Sequence, residues 1–249
     1  LLYVPDIEPG LALRTLSGFA QRIAVTNEGS RRYFKRQERI AVTGYPVRAG
    51  LKRWRRAEAR QALGIAAESR VVLVSGGSRG ARSLNRAVLA NLSTLLQSAE
   101  LIHITGELDW AEIAAQAQAA SPEIRQRWHV QPYLHEEMGA ALAAADLAVS
   151  RAGASVLGEY PLFGLPAVLV PYPYAWRYQK VNAGYLVDQG GAVMVEDGNL
   201  QEKLVPLVQE ILANPGRLEA MRSAMLKLAQ PQAAAGIGHL ILEMAGERR

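Results

Sequence analysis

Short runs of β-branched and apolar residues alternate along this chain with longer stretches whose apolar positions recur at helical spacing. VVLVS (71–75), LIHIT (101–105), WHV (128–130), DLAVS (146–150), residues 166–170 and AVMV (192–195) read as strands. Residues 81–96, 110–119, 136–145, 154–163 and 178–189 read as helices, and two or three Ala/Leu-rich helices finish the chain. Strands alternating with helices mean βαβ crossovers, a parallel sheet, and helices on both of its faces. The fold class is therefore α/β, with a doubly wound, Rossmann-like parallel sheet over residues 45–230. Residues 1–44 share the pattern but are too few for a second such domain, and 46–50 read as a linker.

Four stretches could carry chemistry, and each lies where a strand passes into a helix or into the domain junction. SGGSRGA (75–81) supplies Gly76, Gly77 and Gly80 for a tight turn, a hydroxyl at Ser78, and free N–H groups at a helix start. It lacks the Gly-Lys-Ser/Thr ending of a Walker loop. SRAGASVLGE (150–159) has small residues, Ala152, Gly153 and Ala154, at a helix start, and Glu159 further in. A carboxylate there suits ribose hydroxyls, while the plainer reading of Glu159 is a solvated helix residue. Residues 164–183 carry a proline-rich loop and then Gln179 and Asn182, whose amides can bind sugar hydroxyls; packing or capping is the plainer role for Asn182. In TGYPVR (43–48), Arg48 suits either a phosphate or an interdomain ion pair. Open α/β sheets bind ligands at the carboxyl ends of their strands, so these loops together describe a diphosphate-and-ribose site.

Composition narrows the chemistry. With 49% hydrophobic and 20% charged residues the chain is of globular type. The absence of cysteine excludes disulfides, Cys-ligated metals and a thiol nucleophile. The four histidines, His103, His129, His135 and His239, show no metal-ligand spacing, so neither metal nor cofactor is expected. His103, mid-strand, reads as a core residue, whereas His135 could approach the strand-end loops. No Gly-x-Ser-x-Gly elbow supports hydrolysis, and no apolar run approaches the ~18 residues of a membrane span. The charge of +5 is uneven: residues 31–60 hold eleven basic residues against Glu38 and Glu58, a net of +9, leaving −4 elsewhere. Such a window marks either an anionic partner or a solvated helix face. Leu51, Trp54, Ala57 and Leu63 would form an apolar face there, turning the arginines to water. Few aromatics and no recognised motif argue against nucleic acid.

Taken in order, TGYPVR, SGGSRGA, QPYLHEEM, SRAGASVLGE, GLPAVLVPYP and YQKVNA resemble the MurG-type transferases. The resemblance runs from about residue 9 to residue 195. It implies a GT-B architecture of two Rossmann-like domains facing a cleft. It also implies inverting transfer of N-acetylglucosamine from UDP-N-acetylglucosamine to a lipid-linked muramyl-peptide of peptidoglycan synthesis. By the same resemblance, residues 1–44 are the end of an acceptor-side domain and 45–230 the UDP-sugar-binding domain. Residues 231–249 are a helix that packs back on the first.

The resemblance assigns roles as well. Ser78, with Gly77, resembles the phosphate-contacting loop, and Arg48 the arginine near the donor. The backbone of Leu134 resembles the uracil reader. Gly153, Ala154 and Ser155 belong to the helix start around the nucleotide, Glu159 to the ribose hydroxyls, and Gln179 to the sugar hydroxyls. Three positions depart from the family: Tyr178 replaces His or Gln, and on the acceptor side Asp6 replaces an asparagine and Tyr3 a histidine. The family's N-terminal Gly-rich loop is not among these residues, and the chain opens on Leu1, so the acceptor half and the general base are expected upstream or on a partner chain. A peripheral position on the cytoplasmic face of the bacterial membrane follows from the lipid-linked acceptor. The alternatives are a related GT-B transferase with another acceptor, a UDP-sugar hydrolase or epimerase, and a non-catalytic nucleotide-sugar-binding subunit.

Overall fold

A computed structural model describes residues 1–174 and 177–246. The chain begins with β1 (Leu2–Val4), α1 (Leu11–Ser17), β2 (Ile23–Val25) and β3 (Ile40–Val42), which form a small parallel sheet in the order β1-β2-β3. After α2 (Arg56–Ala62) come β4 (Val71–Ser75), α3 (Arg82–Ala90), α4 (Leu92–Ser98), β5 (Glu100–Ile104), α5 (Trp110–Ala119), α6 (Pro122–Arg127) and β6 (Trp128–Gln131). The chain continues through α7 (Met138–Ala144), β7 (Leu147–Ser150), α8 (Val156–Phe163), β8 (Ala167–Leu169), α9 (Tyr178–Asp188) and β9 (Ala192–Met194). It ends in α10 (Leu200–Leu212), α11 (Pro215–Lys227) and α12 (Ala233–Gly246).

β4 to β9 form one six-stranded parallel sheet in the order β6-β5-β4-β7-β8-β9. Alternation along a strand sends side chains to opposite faces. Val71 and Leu73 accordingly join the core under α7 and α8, and Val72 and Val74 join the one under α3 and α10. The chain winds outward from β4 through β5 to β6, then returns to place β7 on the other side of β4. This reversal opens a crevice between the carboxyl ends of β4 and β7, the position where doubly wound sheets bind ligands. Ser75 and Ser150, the last residues of these two strands, are paired, so both following loops leave the sheet at the same level.

The structure differs from the sequence reading at four places. The helix expected over 81–96 is broken at Asn91, whose backbone leaves helical geometry and whose Nδ2 donates to the Ala87 carbonyl at 2.9 Å. α6 went unread. In the basic window, Ala57 is exposed, and Ala59 and Ile65 join Leu51 in the core instead. The arginines there do not all face water: Arg60 is buried, and with Arg56 it pairs with the buried Asp146 at the start of β7, at 3.0 and 2.6 Å. The segment read as a linker is packed: Val47 lies against the core, and the chain enters a turn of 3-10 helix at Ala49. α12 runs beside the small sheet: Gly236 faces Thr43, and Ile241 and Met244 flank a hollow with Leu1. Residues 247–249 of the expected C-terminal helix, and 175–176 of the proline-rich stretch, lie outside the described residues.

Candidate functional site

The first wall of the crevice is the loop after β4. Gly80 (φ +81°) and Gly106 (φ +76°) lie so close that a Cβ on either would overlap the other's backbone neighbourhood. Glycine at both positions lets the β4 loop seat on the end of β5. The Gly80 N–H donates to the Gly77 carbonyl at 2.9 Å, closing the turn. Gly77 (φ +84°) has open space where a Cβ would stand, so its backbone faces the crevice bare.

The second wall is the loop after β7. Gly153 likewise has nothing within 4 Å of a would-be Cβ. Turns from Val156 to Gly153 and from Leu157 to Ala154 lead into α8. At Gly158 a Cβ would stand 2.8 Å from the Cβ of Tyr45. That missing side chain lets the 45–48 segment lie against α8, and this contact carries Arg48 to Glu159. Burial raises the pKa of the Glu159 carboxyl, while the Arg48 charge and a hydrogen bond with Ser155 pull it down. The Tyr160 hydroxyl, also in the crevice lining, donates to Ser150 Oγ at 2.7 Å, and burial drives its pKa well up.

The third wall comes from α9. Gln179 Oε1 accepts from the backbone N–H groups of Ala152 (3.3 Å) and Tyr172 (2.9 Å). This joins the β7 and β8 loops and leaves the amide's donor end for a ligand. The cleft, open on one side, has a volume of about 490 Å³, ample for a nucleotide-sized ligand. Arg48, Gly77, Ser78, Gly153, Ser155, Glu159 and Gln179 all line it. Leu134 and Ala154 do not: the Leu134 side chain belongs to the core, and its neighbour Tyr133 lines the cleft instead. His135 stands in a neighbouring pocket with Arg48 and edge-on to Tyr133, 4.7 Å between ring centroids.

Sequence reasoning missed Arg151, although it lies inside the quoted SRAGASVLGE. Its Nη1 donates to Asp197 (2.5 Å) and to the Val170 carbonyl (3.2 Å), and its Nη2 to Ser83 (2.8 Å). One guanidinium thus ties the first turn of α3 to the segments after β8 and β9. Asp6, expected on an acceptor side, accepts a hydrogen bond from Asn182 Nδ2 at 2.7 Å. Tyr178 is outside the cleft lining and stands over Gly10, its hydroxyl 3.2 Å from a would-be Cβ. Next to it, Arg177 grips the buried Glu8 at 2.6 and 2.7 Å. No group of three His, Asp or Glu side chains among the described residues is placed to hold a metal ion. With Arg48 and Arg151 as cations, bare glycine backbone and one carboxylate, the cleft can hold an anion flanked by hydroxyls.

Residues 71–237 match the model of the glycosyltransferase family 28 C-terminal domain. This chain belongs to that family. Among its relatives is a protein of Desulforudis audaxviator (strain MP104C), 38% identical over 253 residues, with 99% of this chain and 68% of the relative covered. Another, from Roseiflexus sp. (strain RS-1), is 39% identical over 278 residues, with 97% of this chain and 63% of the relative covered. Both are named UDP-N-acetylglucosamine–N-acetylmuramyl-(pentapeptide) pyrophosphoryl-undecaprenol N-acetylglucosamine transferase, so this family 28 chain is of the MurG type. It spans about two thirds of the length of the relatives it matches. In fold it is similar to the crystal structure of Acinetobacter baumannii MurG, with a TM-score of 0.71 at 24% identity over 97% of this chain and 65% of that one. The fold is also similar to that of a UDP-GlcNAc 2-epimerase from Neisseria meningitidis, with a TM-score of 0.65 at 16% identity over 92% of this chain and 63% of that one. These likenesses establish the GT-B type of α/β fold.

Proposed function

We propose that this chain binds UDP-N-acetylglucosamine in the cleft between β4 and β7 and forms the donor half of an inverting transferase. The acceptor is the lipid-linked N-acetylmuramyl-pentapeptide of peptidoglycan synthesis. The observation that carries this reading is the convergence of Arg48, Ser78, Gly153, Ser155, Glu159 and Gln179, from four separate segments, on one cleft at the switch point of the sheet. Ser78 and the bare backbone at Gly77 and Gly153 receive the diphosphate, and Arg48 offsets the charge that grows on departing UDP. Glu159 accepts from the ribose hydroxyls. The Leu134 backbone, beside Tyr133, meets the uracil, and the amide of Gln179 addresses the sugar. Ala154 acts through the turn that starts α8.

Transfer also needs a base for the acceptor hydroxyl. Glu159 is the one carboxylate among the residues lining the cleft, and the ribose engages it. We assign the base to an acceptor-side domain, either upstream in the same polypeptide with residues 1–44 as its last part, or on a separate partner chain. α12 ties that part to the donor domain. We place the protein peripherally on the cytoplasmic membrane face. α1 has no buried residue, and Leu11, Leu16 and Phe19 are exposed around it near Arg14 and Arg22. No helix among the described residues is long and apolar enough to cross a membrane.

The test is sugar transfer from UDP-N-acetylglucosamine to a muramyl-pentapeptide lipid. Turnover is expected when an acceptor-side domain of a family member is joined to this chain, and none from the 249 residues alone. Turnover by these residues alone would overturn the assignment of the base; no turnover from the joined protein would overturn the donor role.

A further inference from the structure

We propose that a second cleft, across the wall made by Arg151 and Gln179, receives the acidic peptide of the acceptor. This deepens the donor reading and rests on it. The second cleft has a volume of about 560 Å³. It lies between Arg79–Ser83 after β4, Leu108 after β5, and Tyr172 and Tyr174 after β8, with Asp197 beside it. Gly76, Arg151 and Gln179 line both clefts. A molecule filling the second therefore ends against Gln179, whose amide addresses the donor sugar in the first. Group transfer needs its two reactants in adjoining compartments.

The lining suits an anionic ligand with apolar parts. Arg79 is exposed and has no ion-pair partner among the described residues. Arg82 meets Asp109 through Nε at 3.0 Å and stays largely exposed. Arg151 is held rigid by Asp197 and stacks over Tyr172, 5.4 Å from the ring centroid. Arg79, Arg82 and Arg151 against Asp197 leave this lining net positive. Leu108, Tyr172 and Tyr174 are among the few exposed large apolar side chains of the described residues, and all three border this one cleft. Exposed apolar and aromatic side chains gathered at a cavity mark a contact surface. A peptide joined to a sugar through its amino end keeps a free terminal carboxylate, the group that an arginine recognises best. The two tyrosines, edge to face at 5.6 Å between centroids, would cover its apolar side chains.

The test uses the chain first saturated with UDP and then titrated with soluble N-acetylmuramyl-pentapeptide, followed by backbone amide NMR. Shifts are expected at Arg79, Arg82, Ser83, Leu108, Tyr172 and Tyr174. Arg79→Glu and, independently, amidation of the peptide's terminal carboxylate should each weaken binding about tenfold, and Tyr174→Ala should weaken it while UDP affinity holds. The proposal is overturned if these amides stay still although UDP binds. It is equally overturned if Arg79→Glu and the amidated peptide bind as well as the originals, or if inorganic pyrophosphate gives the same shifts at the same concentration. Failure of UDP to bind, seen before any peptide is added, would instead overturn the donor reading itself.

Discussion

Asn182 ties the two sheets together: its Nδ2 donates to Asp6 Oδ1 at 2.7 Å, and its Oδ1 accepts from the Ile7 backbone N–H at 3.1 Å. The same Nδ2 reaches the Ala152 carbonyl at 3.2 Å, so one amide joins the start of the chain, α9 and the β7 loop. Asn182 is fully buried, at 0% exposure. Replacing it by leucine strands the Ile7 N–H and the Ala152 carbonyl without partners. Asn182→Leu should cost about 2 kcal/mol or more in urea unfolding, with the slope unchanged. Asp6→Asn keeps an acceptor oxygen and should unfold near the original midpoint.

A second tie lies in the basic window. Arg60 and Asp146 are 3% and 4% exposed, and Arg60 also donates to the Ala144 carbonyl. Removing Arg60 leaves the buried Asp146 charge to the half-exposed Arg56 and the Val71 backbone N–H. Arg60→Met is expected to destabilise by about 3 kcal/mol, measured by the same denaturation. Arg55→Met, on an exposed neighbour, should change stability by less than about 0.5 kcal/mol.

The strands of the large sheet were legible because most are compact apolar runs closed by glycine, proline or serine, as VVLVS is by Gly76-Gly77. The loops at their ends followed from topology, and seven of the nine donor-site residues proposed from sequence line one cleft. What stayed hidden is long-range pairing. Arg60 reads as a solvated helix arginine until Asp146, 86 residues later, is brought beneath it. Asn182 and Asp6 stand 176 residues apart, and no local pattern links them. Arg151 was passed over because its partners, Ser83 in the first turn of α3 and Asp197 after β9, become neighbours only through the strand order.

His103 gives the stability a pH dependence. It is fully buried in β5, where Trp128 Nε1 donates to its Nδ1 at 3.3 Å and its Nε2 lies 3.0 Å from Asn85 Oδ1. The neutral ring with hydrogen on Nε2 satisfies both contacts, whereas protonation would set a second hydrogen against the Trp128 N–H. Burial lowers its pKa from 6.5 to about 4. The unfolded chain therefore binds the extra proton first. The stability held above pH 6.5 should be lost as pH falls towards 4, by about 3 kcal/mol over the window. Denaturation midpoints across this range should fall more steeply for the original chain than for His103→Gln.

Gly153 separates binding from folding. It has no positive φ and no neighbour within 4 Å of a would-be Cβ. Gly153→Ala should leave the unfolding midpoint unchanged while the new methyl group stands in the cleft and weakens UDP binding about tenfold. Gly80→Ala, at φ +81° and against the Thr105 carbonyl, should lose both stability and binding.

The donor site itself is tested most directly by calorimetric titration of the chain with UDP, alongside Glu159→Ala, at several pH values. One UDP site is expected, weakened about tenfold or more by the substitution, because a carboxylate accepting ribose hydroxyls is lost. Burial raises the pKa of Glu159, so affinity should fall, as pH is lowered, at a higher pH than an ordinary carboxylate would give, and Glu159→Ala should abolish that dependence. No heat with UDP from the folded chain, or equal affinity in the two proteins, would contradict the donor site.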